Sequence, residues 1–337
     1  VNLTGVLIVN LGTPDDPGRL SVYKYLKQFL LDPRVIDIPW LPRNLLVRGV
    51  IAPFRSGSSS KLYKRLWTED GSPLLHYGKI VREKLQAALG EDHVVELAMR
   101  YQSPSIEDAL ERLRKKNVSS LKVVPLFTQY ASASSGSVFE EVMRLLSKWQ
   151  ALPELKIVSS FYNHPKVIQT FVENARKHPL EEYDHFVFSF HGIPHSQLKK
   201  GDTNNHCLTN DDCCQKITEK NQFCYSAQCY NTAQCIAAEL GLNKDQYTVC
   251  FQSRLGPDPW TQPSTPSILE ALAKGGKKKV LAFSPSFVSD CLETIIEIGY
   301  EYKEEFDEWG GERLDLVESL NDHPLWIEGL EDIVRTL

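Results

Sequence analysis

Short apolar runs alternate with segments of helical periodicity along this chain, and that alternation restricts the fold more than any other feature. The runs are Gly5 to Leu11, Val94 to Met99, Leu121 to Phe127, Lys156 to Phe161, His185 to Phe190, Tyr247 to Gln252 and Val280 to Ser284. Between them, Ser105 to Asn117 sets Ile106, Ala109, Leu110 and Leu113 on one helical face behind a capping serine. A second such segment follows Thr265 and Pro266, carries Ile268, Leu269 and Leu272, and stops at Gly275 and Gly276. Strand-length runs joined by helices build parallel sheets, so the expected class is α/β.

The 337 residues suffice for two domains of ordinary size. The strand count predicts two similar Rossmann-like lobes with parallel sheets facing a central cleft. The first lobe is expected over residues 1–127 plus 318–337 and the second over residues 128–317. A net charge of −5 does not favour a polyanion as partner, so nucleic acid is not expected. The opening VNLTGVLIVNLGTP lacks the basic region and cleavage site of a signal peptide, and no run reaches the roughly 20 apolar residues of a membrane span. A cytoplasmic protein is expected, at most attached to the inner face of a membrane.

In HFVFSFHGIPHS, His191 follows an apolar strand and precedes the strand-ending Gly192 and Pro194. Ligands of parallel α/β sheets bind beyond the carboxyl ends of strands, which makes His191 a candidate functional residue. A buried histidine bonded to backbone fits the same position. In SDCLETIIEIGYEYKEEF, a helix is expected from about Ser289, and Glu293, Glu297 and Glu301 at spacing four would stack along one helical face. Such a stripe is either an acidic surface or a path for cations and protons.

Six of the eight cysteines fall in one short stretch. Cys207, Cys213, Cys214 and Cys224 have the number and type of ligands for a two-iron two-sulfur cluster or a four-cysteine zinc site, and the adjacent pair favours the cluster. Reduced free thiols in a loop are the alternative. Cys229 and Cys235 lie on different faces of a following helix.

Eight stretches taken in order resemble the ferrochelatases across nearly the whole chain: VNLGTP at 9–14, GSPL at 71–74, AMRY at 98–101, PLFTQYASASSGS at 125–137, SFHGIP at 189–194, FQSRLGPDPW at 251–260, SDCLET at 289–294 and ESLND at 318–322. The resemblance implies a chelatase-like fold and insertion of ferrous iron into protoporphyrin IX, with iron and porphyrin as substrates. It implies that His191 and Glu293 are catalytic and that Glu297 and Glu301 extend an iron or proton path. It further implies porphyrin contacts at Leu11, Arg100, Tyr130, Trp260 and Phe287, each of whose aromatics reads equally well as core. Metallation removes two pyrrole protons and presents a divalent cation to four nitrogens, work suited to a neutral histidine and ionised carboxylates. Some bacterial members hold an internal cluster, which the four cysteines match. A chelatase for coproporphyrin or another tetrapyrrole, or a non-catalytic tetrapyrrole or metal binding protein, stays open, as does monomer against homodimer.

Residues 40–67 interleave Trp40, Leu41, Leu45, Leu46, Val50, Ile51, Phe54 and Trp67 with Arg43, Arg48, Arg55, Lys61, Lys64 and Arg65. That mixture suits either a lip dipping into lipid headgroups or a helical cover on its own domain. Arg55 and Lys64 are candidate partners for substrate propionates.

Overall fold

The structure is a computed structural model that describes residues 3–210 and 212–337. The chain divides into two compact units. The first runs to Phe127 and includes Ala131–Ser160 and Ile327–Leu337; the second comprises Thr128–Tyr130 and Phe161–Trp326.

In the first unit, β1 (Thr4–Gly12), β2 (His93–Tyr101), β3 (Ser120–Pro125) and β4 (Glu154–Ile157) form a parallel sheet in the order β2-β1-β3-β4. Its helices are α1 (Arg19–Leu30), α2 (Trp40–Leu46), α3 (Ala52–Leu66), α4 (Pro73–Leu89), α5 (Ile106–Lys115) and α6 (Ser137–Leu146). The central strand β1 is apolar on both faces, with Val6, Leu7, Ile8 and Val9 fully buried, as a strand covered by helices on each side requires. Helix α5 buries Ile106, Ala109, Leu110 and Leu113 against this sheet, in a core shared with Val138, Val142 and Leu145 of α6. The Ser105 hydroxyl accepts the Asp108 N–H at 3.1 Å, and the acidic first turn and basic last turn complement the helix dipole.

The second unit repeats the plan. β5 (His185–His191), β6 (Tyr247–Gln252), β7 (Lys279–Phe283) and β8 (Arg313–Leu316) pair in parallel in the order β6-β5-β7-β8. Its helices are α7 (Pro165–Ala175), α8 (His195–Gly201), α9 (Tyr225–Glu239), α10 (Thr265–Lys274) and α11 (Lys303–Glu308), and α12 (Pro324–Thr336) leads back to the first unit. Stacked Phe188 and Phe283, with ring centroids 4.6 Å apart, mark the centre of this core.

Three expectations are revised. The sequence reading ended the first lobe at residue 127 and resumed it at 318, whereas residues 131–160 belong to it because β4 extends its sheet and α6 completes its core, and the return comes at Ile327. Strand β4 lies two residues earlier than expected, and β8 was not expected at all. Both are four-residue edge strands with half-exposed, partly charged sequences, ELKI and RLDL, so neither carries the apolar run that betrays a central strand.

Candidate active site

His191 is the last residue of β5, the strand from which the order turns to β6 on one side and to β7 on the other. This is the switch point where open parallel sheets place ligands. The His191 Nδ1 lies 2.6 Å from the Gly192 carbonyl oxygen. A carbonyl only accepts, so Nδ1 carries the proton in the neutral ring, and Nε2 keeps the lone pair that takes a proton or a metal. Phe287 stands edge-on to the ring at a centroid distance of 6.3 Å. Next to it, a Cβ on Gly192 would lie 2.8 Å from the Gln252 carbonyl oxygen and 3.1 Å from Trp260 Cε3, so only glycine allows this loop to close against the indole. Trp260 is buried and bridged to Pro194, and its Nε1 has no hydrogen-bond partner.

The acidic element differs from the helix expected. Ser289 to Cys291 are outside it, and Leu292–Tyr302 is a π-helix that continues into α11. The wider i→i+5 turn lets residues four and five apart share a face. Tyr302 thus reaches back to Glu297, its hydroxyl donating to Oε1 at 2.7 Å. Glu297 also accepts the Ser253 N–H at 2.9 Å, the Gln252 side-chain amide at 3.0 Å and the Ser253 hydroxyl. Four donors converge on this carboxylate, and burial beside it pushes the Tyr302 phenol well up, so Tyr302 remains a donor. Glu293 is half-buried; its backbone carbonyl accepts Gln252 Nε2 at 2.8 Å, and its carboxylate lies beside the Cys291 thiol, whose pKa burial raises first and Glu293 further. Glu301 is exposed. The three carboxylates therefore run from a half-buried position to solvent.

Gln252 is the residue linking these elements that sequence reasoning did not single out. It pairs in register with His191, is buried, accepts the Ser189 hydroxyl at 2.7 Å and donates to Glu293 and Glu297. The signal was a polar residue closing an apolar strand inside FQSRLGPDPW.

In the first unit, Arg100 is committed to an internal network. Its Nη2 donates to buried Asp32 at 2.8 Å and its Nε to the Ser137 hydroxyl at 2.7 Å. Asp32 also accepts the Tyr101 hydroxyl at 2.9 Å and the Ser137 hydroxyl at 2.6 Å. Leu11 is half-buried near the end of β1. Tyr130, in the second unit, is half-buried with its backbone N–H donating to Gln228 at 2.8 Å.

The cysteine segment brings thiols together. Cys207 and Cys214 both donate to Cys224, and the Cys213 and Cys214 sulfurs are 3.5 Å apart. Those two thiols lower the pKa of Cys224, helped by the Ala227 and Ser226 N–H groups at the start of α9. Among the described residues, no set of three or more His, Cys, Asp or Glu side chains stands at metal-holding geometry.

The ferrochelatase family model matches residues 3–337. The ferrochelatase of Legionella pneumophila (strain Lens) is 43% identical over 331 residues, covering 98% of each chain, and that of Coxiella burnetii (strain Dugway 5J108-111) is 41% identical over 336 residues, covering 99% of this chain and 94% of the other. This chain belongs to the ferrochelatase family. Its activity is insertion of ferrous iron into a porphyrin, the haem-forming step. Among solved structures, SirB from Bacillus subtilis aligns with a TM-score of 0.54 at 12% identity, covering 99% of this chain and 94% of that one, which shows a shared fold.

One surface of this ferrochelatase is apolar. Through α2, a π turn at Val47–Ile51 and α3, Val47, Tyr63 and Leu66 are buried together with Ala52, Ser56, Ser59 and Ser60, while Trp40, Leu45 and Phe54 are 68%, 67% and 78% exposed. The stretch therefore covers its own domain and also presents large apolar side chains to water. Arg55 and Lys64 are exposed on the same stretch. No helix among the described residues is long and apolar enough to cross a membrane.

Proposed function

We propose that His191 and Glu293 carry iron insertion into protoporphyrin IX. The supporting observation is the Nδ1–H of His191 held on the Gly192 carbonyl, which leaves Nε2 as the accepting atom. Two pyrrole N–H bonds break, four Fe–N bonds form, and two protons leave. His191 Nε2 takes a pyrrole proton, Glu293 takes the second or passes the cation inward, and Glu297 and Glu301 lead toward solvent. The family resemblance assigns substrate contacts to Leu11 and Arg100 in the first unit and to Tyr130, Trp260 and Phe287 in the second. FTQYASASSGS and the basic residues of 40–67 favour protoporphyrin over coproporphyrin. Glu293→Gln is expected to lower kcat by about a hundredfold with the porphyrin KM nearly unchanged, as loss of a proton-transfer group does. Steady-state iron insertion, assayed with protoporphyrin and coproporphyrin side by side, checks this. Unchanged kcat removes Glu293 from the mechanism, and a preference for coproporphyrin reassigns the substrate.

Cys207, Cys213, Cys214 and Cys224 are proposed to hold a two-iron two-sulfur cluster. Four soft sulfur donors gathered in one segment, with the Cys213 and Cys214 sulfurs 3.5 Å apart, suit it. When bound, the cluster supplies a one-electron redox centre and ties the segment together. Protein purified without oxygen is expected to show visible absorption with iron and sulfide in equal amounts, lost in Cys224→Ser. A colourless sample free of iron refutes the assignment.

The exposed apolar and basic side chains of residues 40–67 are proposed as a peripheral membrane contact. Each large apolar side chain that leaves water contributes roughly 1.5–3 kcal/mol, and nearby basic residues favour anionic headgroups. Cosedimentation with vesicles containing phosphatidylserine at low salt should therefore be strong, and Phe54→Asp should weaken it by about tenfold or more. Equal sedimentation of the variant would count against the contact.

A further inference from the structure

The backbone of His191 is held on one side by strand β6 and on the other by no strand at all. Pairing between β5 and β7 stops at Phe188 and Phe283, three residues before His191. On the β6 side the ladder continues to Gln252, whose carbonyl accepts the Gly192 N–H at 2.8 Å. On the other side, two hydroxyls stand in for the missing strand. The His191 N–H lies 3.3 Å from the Ser286 hydroxyl, the Tyr225 hydroxyl lies 2.7 Å from the His191 carbonyl oxygen, and the two hydroxyls are 3.1 Å apart.

The hydrogens of this ring have one consistent arrangement. The His191 N–H only donates, so Ser286 Oγ accepts from it. The His191 carbonyl only accepts, so Tyr225 donates to it. The remaining hydrogen, on Ser286, is then directed to the Tyr225 oxygen. Each bond polarises the next around the closed circuit, whose tyrosine is buried while His191 and Ser286 are half-buried. The Cys229 thiol, one turn further along α9, lies against the same tyrosine hydroxyl. Tyr225 is the first residue of α9 and follows Cys224 directly, so the helix start beside the cysteine segment carries the group that holds the His191 backbone.

We infer that Tyr225 and Ser286 are positioning residues for His191: by clamping both backbone groups of the residue, they set the direction in which its imidazole projects. The inference rests on His191 being the proton acceptor proposed above. A side chain at the end of a strand inherits its direction from backbone φ and ψ. Without the two hydroxyls, the strand end is held by β6 alone and can shift on its other side, and misplacing a reacting group by about 1 Å costs up to a hundredfold in rate.

Tyr225→Phe keeps the ring and its packing but opens the circuit. Iron insertion should then fall by about tenfold or more in kcat, with the porphyrin KM within about twofold and porphyrin binding by fluorescence unchanged. Ser286→Ala should reproduce the loss and Ser286→Thr, which keeps a hydroxyl, should restore it. The double variant Tyr225→Phe/Ser286→Ala should be no worse than Tyr225→Phe, since each opens the same ring. Wild-type kcat in Tyr225→Phe, a loss confined to KM, or additive losses in the double variant would overturn the inference. Should Tyr225→Phe fail to fold, the Ser286→Ala and Ser286→Thr pair reads the same circuit: loss with restoration supports it and indifference to both refutes it. A His191→Ala protein with full turnover would instead refute the underlying role of His191, which keeps the two failures apart.

Discussion

His191→Ala is expected to lower kcat for iron insertion by about a thousandfold while porphyrin affinity changes by no more than about threefold. The imidazole ends an inner strand of its sheet with Nδ1 donating to the Gly192 carbonyl, which leaves Nε2 as the atom for the proposed role. Removing the ring removes an acceptor that works only as the pyrrole proton leaves. Substrate binding, which is mostly apolar burial of a flat macrocycle, does not depend on it. Ser189, Gln252, Tyr225 and Ser286 hold one another and the strand end through hydroxyl, amide and backbone groups, so the fold around the missing ring persists. The measurement is kcat against ferrous iron and protoporphyrin, with porphyrin quenching read separately. A variant turning over at the wild-type rate, or one that has lost porphyrin binding to the same degree as turnover, would contradict this role.

Gly12→Ala should destabilise the first unit by about 3 kcal/mol or more, by strain of the kind that makes single substitutions severe. Gly12 has φ +122, a conformation that side chains resist, and a Cβ there would sit 2.1 Å from the Tyr101 carbonyl oxygen and 3.0 Å from its carbonyl carbon. Both contacts are with backbone, so no side chain can swing aside. Relief requires parting β1 from β2 at the Gly12 and Tyr101 pair. Tyr101 cannot follow freely, because its hydroxyl is fixed on Asp32, which also neutralises Arg100. Breaking a buried pair of that type costs about 3–5 kcal/mol. Thermal unfolding should show a midpoint lower by about 5 °C or more. A midpoint within a degree of the parent would mean that the strand pair parts without cost.

Most of the fold was legible because it depends on local periodicity. Six of the strands follow from apolar runs, and Tyr247–Gln252 has the bounds that its sequence suggested. Helix α5, with its serine cap and four apolar positions, could be read directly from the spacing. Strand β8 escaped because an edge strand pairs on one side only and needs little apolar sequence. The π-helix escaped for a different reason. Its residues have ordinary helical composition, and the change from i→i+4 to i→i+5 bonding is stabilised from outside, by Gln252 and Ser253 meeting Glu297 and the Glu293 carbonyl.

For the site, residue types at the ends of apolar runs and the ordered motifs around them were sufficient to nominate His191 and the three glutamates, since strand ends in parallel sheets are where ligands bind. Partnership was beyond that reading. Arg100 and Asp32 are 68 positions apart, Gln252 and Glu297 are 45 apart, and Tyr225 and His191 are 34 apart. A polar side chain in sequence carries its donors and acceptors but not the atoms that will satisfy them. The amino-acid order alone therefore determined the α/β class, the family and the atoms capable of the chemistry. Only tertiary structure decided which nitrogen of His191 is available, why four donors converge on Glu297, and that two hydroxyls replace a strand beside His191. Burial obliges each of these polar groups to find a partner, and the partners meet only when the chain has folded.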